Sequence, residues 1–215
     1  MFASDRDLLI LEPRLFHDIA WSAQRLIDVT NASINAAGTM LTIPGVDLAA
    51  LAVAEGFVAL VAGTPLEVLE RTSATTLTVS RLRAAPAESP IPAAPGSNLK
   101  ATIATFRPQV SLVHDQLLRT IGIEPGEPSA PGSPAETDIT NPRSLILAES
   151  LGALHLVFAA AAALVGEDSP LWAKARMYRE RFVLERRRLT VEIDLDSDGQ
   201  PDAIRRPNAI QFARG

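Results

Sequence analysis

The sequence predicts an α+β protein: a strand-rich N-terminal barrel or sandwich, a small bundle of about three helices, and an extended C-terminal hairpin or arm. Short β-branched runs separated by turn residues fill residues 1–83, whereas apolar residues beyond residue 104 recur mostly at helical spacing. Two proline-rich stretches, residues 84–98 and 124–142, separate the pieces because proline removes a backbone donor and disfavours helix before it.

These boundaries predict six segments. They are a β-rich domain at 1–83, a linker at 84–98, a strand and helix at 99–123, a linker at 124–142, a helical hairpin at 143–189, and a C-terminal hairpin and arm at 190–215. A chain of 215 residues with 47% hydrophobic residues is long and apolar enough to bury a core, which excludes a disordered protein. The net charge of −5 argues against a basic nucleic-acid binder, and zero cysteines exclude disulfides and thiolate sites.

The clearest strand pair lies at residues 66–71 and 77–82, where apolar and polar residues mostly alternate on either side of a polar turn. This pattern predicts a hairpin with one buried face. Glu67 and Glu70 are then expected on the solvated side of an edge strand. Residues 47–62 permit either a helix or two strands, and Glu55-Gly56 between two apolar runs favours strands.

Three helices follow from local start and stop signals. Pro108 and Gly122 bound the first, Asn141-Pro142 and Gly166 bound the second, and Ser169-Pro170 starts the third. The second helix is apolar nearly all round, and its uncharged run at residues 151–165 is shorter than the roughly 20 residues a bilayer requires. We therefore expect a buried central helix and no membrane partner.

An acidic motif of the form D-x-D-x-D-G-x-x-D follows the third helix. Its residues are Asp194, Asp196, Asp198, Gly199 and Asp202. Alternating carboxylates around a glycine are typical of a calcium loop, in which the oxygen atoms converge on one cation. The twelfth position, where such a loop needs a bidentate Glu, is Arg205, and this favours a polar turn over a calcium site.

The third helix is rich in arginine. Its arginines are Arg176, Arg179, Arg181, Arg186, Arg187 and Arg188, with Glu180 and Glu185 between them. Mixed charge of this kind favours a solvated or partner-facing helix over a nucleic-acid surface. The three histidines, at 17, 114 and 155, belong to no metal or hydrolase motif, and we expect no catalytic residue and no enzyme activity.

The second and third helices and the loop between them form a combined pattern. An apolar helix, LAESLGALHLVFAAAAAL, is followed by the capped loop GEDSP and the helix LWAKARMYRERFVLERRRL. This combination resembles the core of tailed-bacteriophage head-tail connector proteins, also called adaptor or head completion proteins. The family pattern is a K-A-x-x-Y-R-x-R-F-like helix packed on an apolar one. The matching residues are Lys174, Ala175, Tyr178, Arg179, Arg181 and Phe182. The resemblance covers roughly residues 104–190.

The resemblance implies a structural virion protein at the head-tail junction, assembled in the host cytoplasm. Such adaptors form a homo-oligomeric ring, typically a dodecamer, that binds the portal protein and the next neck protein, a stopper or tail terminator. DNA only passes through the lumen, and no cofactor is needed. For this role we predict partner contacts by Arg179, Arg186, Arg187 and Arg188, and by Ile204, Ile210 and Phe212 of the tail.

Two other functions stay open. The first is a calcium-dependent binding module in which Asp194, Asp196, Asp198 and Asp202 hold Ca²⁺. The second is a small hydrolase with an unfamiliar carboxylate site.

Overall fold

The computed structural model describes residues 1–126, 133–166 and 169–207, and the chain forms two compact units. The barrel unit comprises Ser4–Phe106, and the helical unit comprises Met1–Ala3 together with the chain from Arg107 onward. Their strands and helices confirm the predicted α+β class. The barrel unit is inserted into the helical unit, because the chain leaves the helical unit after Ala3 and returns to it at Arg107.

The barrel unit begins with two short helices that the sequence analysis did not predict. They are α1 (Asp5–Leu11) and α2 (Leu15–Asp18), and a 3₁₀ turn at Ala20–Ser22 follows them. The backbone N–H and the hydroxyl of Ser4 both donate to Asp7 at the start of α1. These helices pack through Leu8, Leu9 and Leu15, which are almost fully buried.

Six strands form a closed antiparallel barrel. They are β1 (Gln24–Ile34), β2 (Met40–Thr42), β3 (Val58–Val61), β4 (Thr64–Arg71), β5 (Thr76–Arg81) and β6 (Gly96–Thr105). The order around the barrel is β1-β2-β5-β4-β3-β6, and β6 pairs with β1 to close it. Leu41, Leu66, Val79 and Ile103 are fully buried in its core. Of the two architectures the sequence allowed, the chain adopts the barrel.

Closure of the barrel depends on β6, which pairs with both β1 and β3. Residues 84–98 were expected to be a linker between domains, but they lie inside one unit, where residues 84–95 lead from β5 to β6 and residues 96–98 begin β6. The Ala93 N–H donates to the Gly38 carbonyl at 2.8 Å and so fastens this connection to the β1–β2 turn. Gly38 has a φ of +73°, and a Cβ there would lie 2.3 Å from the Ala93 carbonyl oxygen.

The predicted hairpin is confirmed as β4 and β5, which pair antiparallel with Val68 opposite Val79. The ambiguous stretch at residues 47–62 divides into two parts. Its first half is a turn in which the Asp47 carboxylate accepts the N–H groups of Ala49 and Ala50, and its second half contains β3.

Glu67 lies inside the barrel unit and not on a solvated edge, which corrects the sequence interpretation. Its side chain is fully buried and accepts from Arg6 Nε at 2.5 Å, Arg83 Nε at 2.6 Å and the Arg83 N–H at 3.0 Å. Two guanidinium groups thus compensate the charge of one buried carboxylate. Without them, burial of that charge would cost several kcal/mol of stability. Glu70, on the same strand, is exposed as predicted.

Three helices and a short hairpin make up the described part of the helical unit, apart from a 3₁₀ turn at Glu136–Asp138. They are α3 (Arg107–Thr120), α4 (Arg143–Val165), α5 (Pro170–Arg188), β7 (Val191–Ile193) and β8 (Ala203–Arg205). The central helix α4 packs on both α3 and α5. Gly166 ends α4, and Ser169 caps α5 by accepting the Leu171 N–H at 3.2 Å, as the sequence predicts.

The three helices approach one another closely at Gly152 in α4. A Cβ at this position would lie 2.6 Å from Val113 of α3 and 3.2 Å from Phe182 of α5. Phe158 of α4 stacks on Tyr178 of α5, with ring centroids 5.4 Å apart. Gly152 is thus a point at which a larger side chain has no space.

By length and composition alone, the 23-residue helix α4 is able to cross a bilayer, although the sequence analysis judged its apolar run too short. Within the helical unit, 67% of its most apolar window is buried. Glu149 lies in the same helix and is fully buried. These contacts are those of a core helix in a globular unit.

Candidate functional site: an arginine-rich helix face and an acidic turn

One side of α5 is buried and the other is exposed. Ala175, Tyr178 and Phe182 are the buried residues, and they pack toward the helical core. The exposed side, called here the α5 face, consists of Trp172, Arg176, Met177, Arg179, Glu180, Arg181, Leu184, Arg187 and Arg188, together with half-buried Val183. Trp172 and Met177 are each 41% exposed and Leu184 is 52% exposed. Large apolar side chains among arginines are typical of protein interfaces.

The charge of α5 is opposite to that of the rest of the chain. The helix has seven basic and two acidic residues, a formal charge of +5. The whole chain has 20 basic and 25 acidic residues, so 13 basic and 23 acidic residues remain elsewhere, a formal charge of −10. Within residues 1–126, 133–166 and 169–207, Arg176, Arg179, Arg187 and Arg188 form no ion pair. Their charge is therefore available to a partner.

A surface cavity of about 490 Å³ opens on the α5 face. It is lined by Arg176, Arg179, Glu180, Val183 and Leu184. The lining combines two aliphatic side chains and two guanidinium groups with one carboxylate, that of Glu180. Its chemistry suits an apolar side chain flanked by carboxylates, because guanidinium groups form forked hydrogen bonds with carboxylates.

Arg186 differs from the other three predicted contact arginines. Its guanidinium lies over the ring of Phe182, 5.6 Å from the centroid, in a cation–π contact. Arg179, Arg187 and Arg188 are exposed. The structure thus brings three of the four predicted arginines to the surface, whereas Arg186 packs on its own helix.

The acidic turn, residues 194–202, connects β7 to β8. Asp194 accepts the N–H groups of Ser197 at 2.7 Å and Gly199 at 2.8 Å, and Asp202 accepts that of Leu195 at 2.7 Å. Backbone donors thus hold the carboxylates in place, which is the arrangement of a polar turn. Leu195, between two aspartates, is 52% exposed.

Three of the four predicted metal ligands lie together. Asp194, Asp196 and Asp202 each offer an oxygen atom, and these atoms lie within 4.8 Å of one another, so they could hold a divalent cation. Asp198 is outside this group and accepts the Gln200 N–H at 2.7 Å. Burial opposes the charge on Asp194, but the N–H groups of Gly199 and Ser197 outweigh it and hold the pKa of that carboxyl below its ordinary value.

Arg205, at the position where a calcium loop needs Glu, is directed elsewhere. Its Nη1 donates to the carbonyls of Ile121 at 2.7 Å and Gly122 at 2.9 Å. These carbonyls follow the end of α3, where a cation is favoured by the helix dipole. Arg205 thus ties β8 to the end of α3 and contributes no cation ligand.

Of the three predicted apolar anchors, only Ile204 lies within the described residues. It is on β8 and is 61% exposed. Ile210 and Phe212 lie outside the described residues.

The sequence analysis missed a buried charged cluster in the helical unit. The His114 side chain of α3 places Nε2 3.1 Å from Glu136 Oε2 and Nδ1 3.4 Å from Glu149 Oε1. Glu149 Oε2 accepts the N–H groups of Phe2 at 2.9 Å and Ala3 at 3.1 Å. The signal for this cluster was present in the sequence, because a lone carboxylate in an apolar helix needs a partner when it is buried.

Two carboxylates flank the His114 ring. Burial disfavours the imidazolium, but Glu149 and Glu136 outweigh burial, and the pKa of His114 lies above its ordinary value. The Phe2 ring covers the imidazole at a centroid distance of 4.9 Å. The cluster therefore fastens Met1–Ala3 to α3 and α4.

The other two histidines lie outside this cluster. His155 Nδ1 is 3.1 Å from the Ala175 carbonyl, and exposed His17 lies beside Asp18.

No known protein-family model, curated protein or solved structure matches this chain.

Proposed function

We propose that this chain is a structural head-tail adaptor, a ring-forming virion protein that joins the portal to the next neck protein. The observation that carries the proposal is the α5 face, where arginines surround exposed Trp172, Met177 and Leu184. An interface usually centres on such anchors and excludes water around them. The resemblance of this helix to connector proteins supplies the identity of the partner.

The helical unit supports the docking role. The buried face of α5 is fixed by Phe158, Tyr178 and the close packing at Gly152, so the α5 face is presented on a well-packed scaffold. A pre-organised surface loses less conformational entropy when a partner binds. Ile204 on β8 adds a second exposed apolar group in the same unit. In this role the tail residues Ile210 and Phe212 contact the portal.

The net charge of −5 suits a ring through which DNA passes. Weak adhesion lets the duplex slide, whereas a basic lumen would hold it through phosphate contacts. The assembled ring is accordingly expected not to retain duplex DNA at physiological salt. Retention under those conditions would contradict this part of the proposal.

The proposal is tested by a tagged pull-down from host cells producing phage, with mass spectrometry and negative-stain microscopy. The expected result is a portal-like ring carrying stoichiometric copies of the chain. Arg179→Glu should abolish this recovery, because it reverses a charge at the cavity of the α5 face. Arg81→Glu, a matched reversal at an exposed position of β5, should not. Recovery of no virion protein with the unmodified chain would overturn the proposal.

A second candidate function is a calcium-dependent binding module, favoured by the convergence of Asp194, Asp196 and Asp202. A cation that binds the native state raises stability by mass action. This candidate therefore predicts a higher Tm in about 1 mM CaCl₂ than in EDTA, by several degrees at saturation. Asp202→Asn should remove the shift, while an unchanged Tm of the unmodified chain would exclude this candidate.

A further inference from the structure

The α5 face and the acidic turn are complementary surfaces on one unit. The α5 face offers aliphatic side chains between guanidinium groups, at a cavity of about 490 Å³. The acidic turn offers Leu195, 52% exposed, near the exposed carboxylates of Asp196 and Asp198, whereas Asp194 is buried. The turn thus has the composition that the cavity suits, an apolar side chain flanked by carboxylates.

We infer that the acidic turn of one copy docks on the α5 face of the next copy, with Leu195 entering the cavity beside Leu184. The inference rests on the proposed function and names the contact between adjacent subunits. Charge favours a second copy of the chain as the occupant. The formal charge of α5 is +5 and that of the remaining residues is −10, so α5 of one copy attracts the acidic residues of another. Potentials of opposite sign steer association and fix its register.

The geometry of this contact determines the kind of assembly. The two surfaces differ, so the contact is heterologous, and each bound pair of copies retains one free α5 face and one free acidic turn. Heterologous contacts add further copies until the rotation closes into a ring. An isologous dimer, which uses the same patch on both partners, would not extend.

Disulfide cross-linking tests the contact directly, because the chain has no cysteine of its own. Leu184→Cys and Leu195→Cys are prepared as two separate full-length variants, one bearing a size tag. They are mixed at about 1 mM, where a contact with a millimolar Kd is substantially occupied. A disulfide forms only when the two Cα atoms approach within about 7 Å, so a mixed dimer reports the contact.

The matched control replaces an exposed leucine on another helix. Leu112 of α3 is 65% exposed, and Leu112→Cys is mixed with Leu195→Cys under the same conditions. We expect at least a tenfold higher yield of mixed dimer for the Leu184 pair. The yield should fall when NaCl is raised from about 0.1 M to 1 M, because the Debye length shortens from about 10 Å to 3 Å. Equal yields for the two pairs would overturn the inference.

A charge-reversal pair separates specific docking from general attraction. Arg179→Glu in the Leu184→Cys chain should reduce the mixed-dimer yield to that of the control. Asp198→Arg in the Leu195→Cys chain should then restore it, because the pair is opposite in charge again. Circular dichroism of each variant shows that the helices are retained. If Arg179→Glu lowers the mixed-dimer yield and Asp198→Arg does not restore it, the result counts against the contact.

The outcomes also distinguish this inference from the proposed function. Portal recovery without the mixed disulfide would overturn the subunit contact and leave the adaptor role in place. In that case the portal itself is the occupant of the α5 face. The mixed disulfide without recovery of any virion protein would support the contact between copies and overturn the adaptor role.

Discussion

Neutralising Glu67 should destabilise the barrel unit far more than a change at any exposed carboxylate of the same strand. Glu67→Gln removes the buried charge that faces Arg6 and Arg83 while leaving both guanidinium groups in place. The NH₂ group of the new amide is a hydrogen-bond donor, and it would face guanidinium N–H groups that are donors themselves. The substitution therefore leaves Arg83 without its buried counter-ion, and it leaves Arg6 with only the more distant Asp7 carboxylate, 3.8 Å away.

The size of the effect follows from the burial of the three groups. The Glu67 side chain is 0% exposed, and those of Arg6 and Arg83 are 10% and 8% exposed. Removing one partner of a buried ion pair costs about 3–5 kcal/mol. At roughly 4 °C per kcal/mol for a unit of about 100 residues, the Tm of the barrel unit should fall by about 12–20 °C.

Tryptophan fluorescence allows the two units to be followed separately. The chain has two tryptophans, Trp21 in the barrel unit and Trp172 in the helical unit. In a Trp172→Phe background the remaining indole reports on the barrel unit, and urea titration gives its free energy of unfolding. Glu70→Gln, on the same strand but exposed, is the matched control and should change that free energy by less than about 0.5 kcal/mol.

A loss of less than about 1 kcal/mol for Glu67→Gln would refute the reasoning, because it would mean that the two arginines need no buried counter-ion. An apolar replacement of the whole cluster provides a second test. Arg6→Met, Glu67→Leu and Arg83→Met together should recover much of the stability, since no uncompensated charge then remains.

Three further predictions concern the helical unit and use a Trp21→Phe background. Because the pKa of His114 is raised, its contribution to the free energy of unfolding is complete below about pH 6.5 and is lost as the pH rises through the folded pKa. His114→Gln should therefore flatten the pH dependence of the free energy of unfolding, measured by urea titration at a series of pH values. The groups facing the imidazole are the Glu149 and Glu136 carboxylates and the Met1 amino group. Gly152→Val should lower the free energy of unfolding by about 2–3 kcal/mol, because its side chain overlaps those of α3 and α5; an unchanged urea midpoint would show that the helices can separate there. Arg205→Ala should cost about 1–2 kcal/mol by removing two hydrogen bonds to carbonyls after α3, and calorimetry showing no change in Tm would contradict that role.

Local signals in the sequence account for the parts of the fold that were predicted well. Gly166 and Ser169-Pro170 act on neighbouring residues only, and they mark the end of α4 and the start of α5 as expected. The β4–β5 hairpin was found for the same reason, since alternation and a short turn specify it without distant partners. The acidic motif likewise forms the turn that its aspartates and glycine predict.

Long-range pairing explains what the sequence could not predict. The sequence analysis assigned Gly96, Ser97 and Asn98 to a linker and predicted a strand only from residue 99, but these three residues begin β6, where Gly96 pairs with Ile34 of β1. Glu67 looks like an ordinary surface carboxylate in the sequence, because the Arg6 guanidinium that pairs with it lies 61 residues earlier in the chain. Arg186 is similar, because sequence does not show which arginine of a helix lies over an aromatic ring.

The insertion of the barrel unit has a consequence for the order of events during synthesis. Residues Met1–Ala3 are synthesised before the barrel unit, but the Glu149 carboxylate that accepts the N–H groups of Phe2 and Ala3 follows Phe106, the end of the barrel unit, by roughly 2–9 s at ordinary elongation rates. The barrel unit is complete during that interval, and its ends are already joined by the hydrogen bond from the Phe106 N–H to Asp5 at 2.8 Å. Met1–Ala3 therefore contact α4 only after all residues of the barrel unit have been synthesised. Deleting those residues should weaken the helical unit and leave the stability of the inserted barrel unchanged.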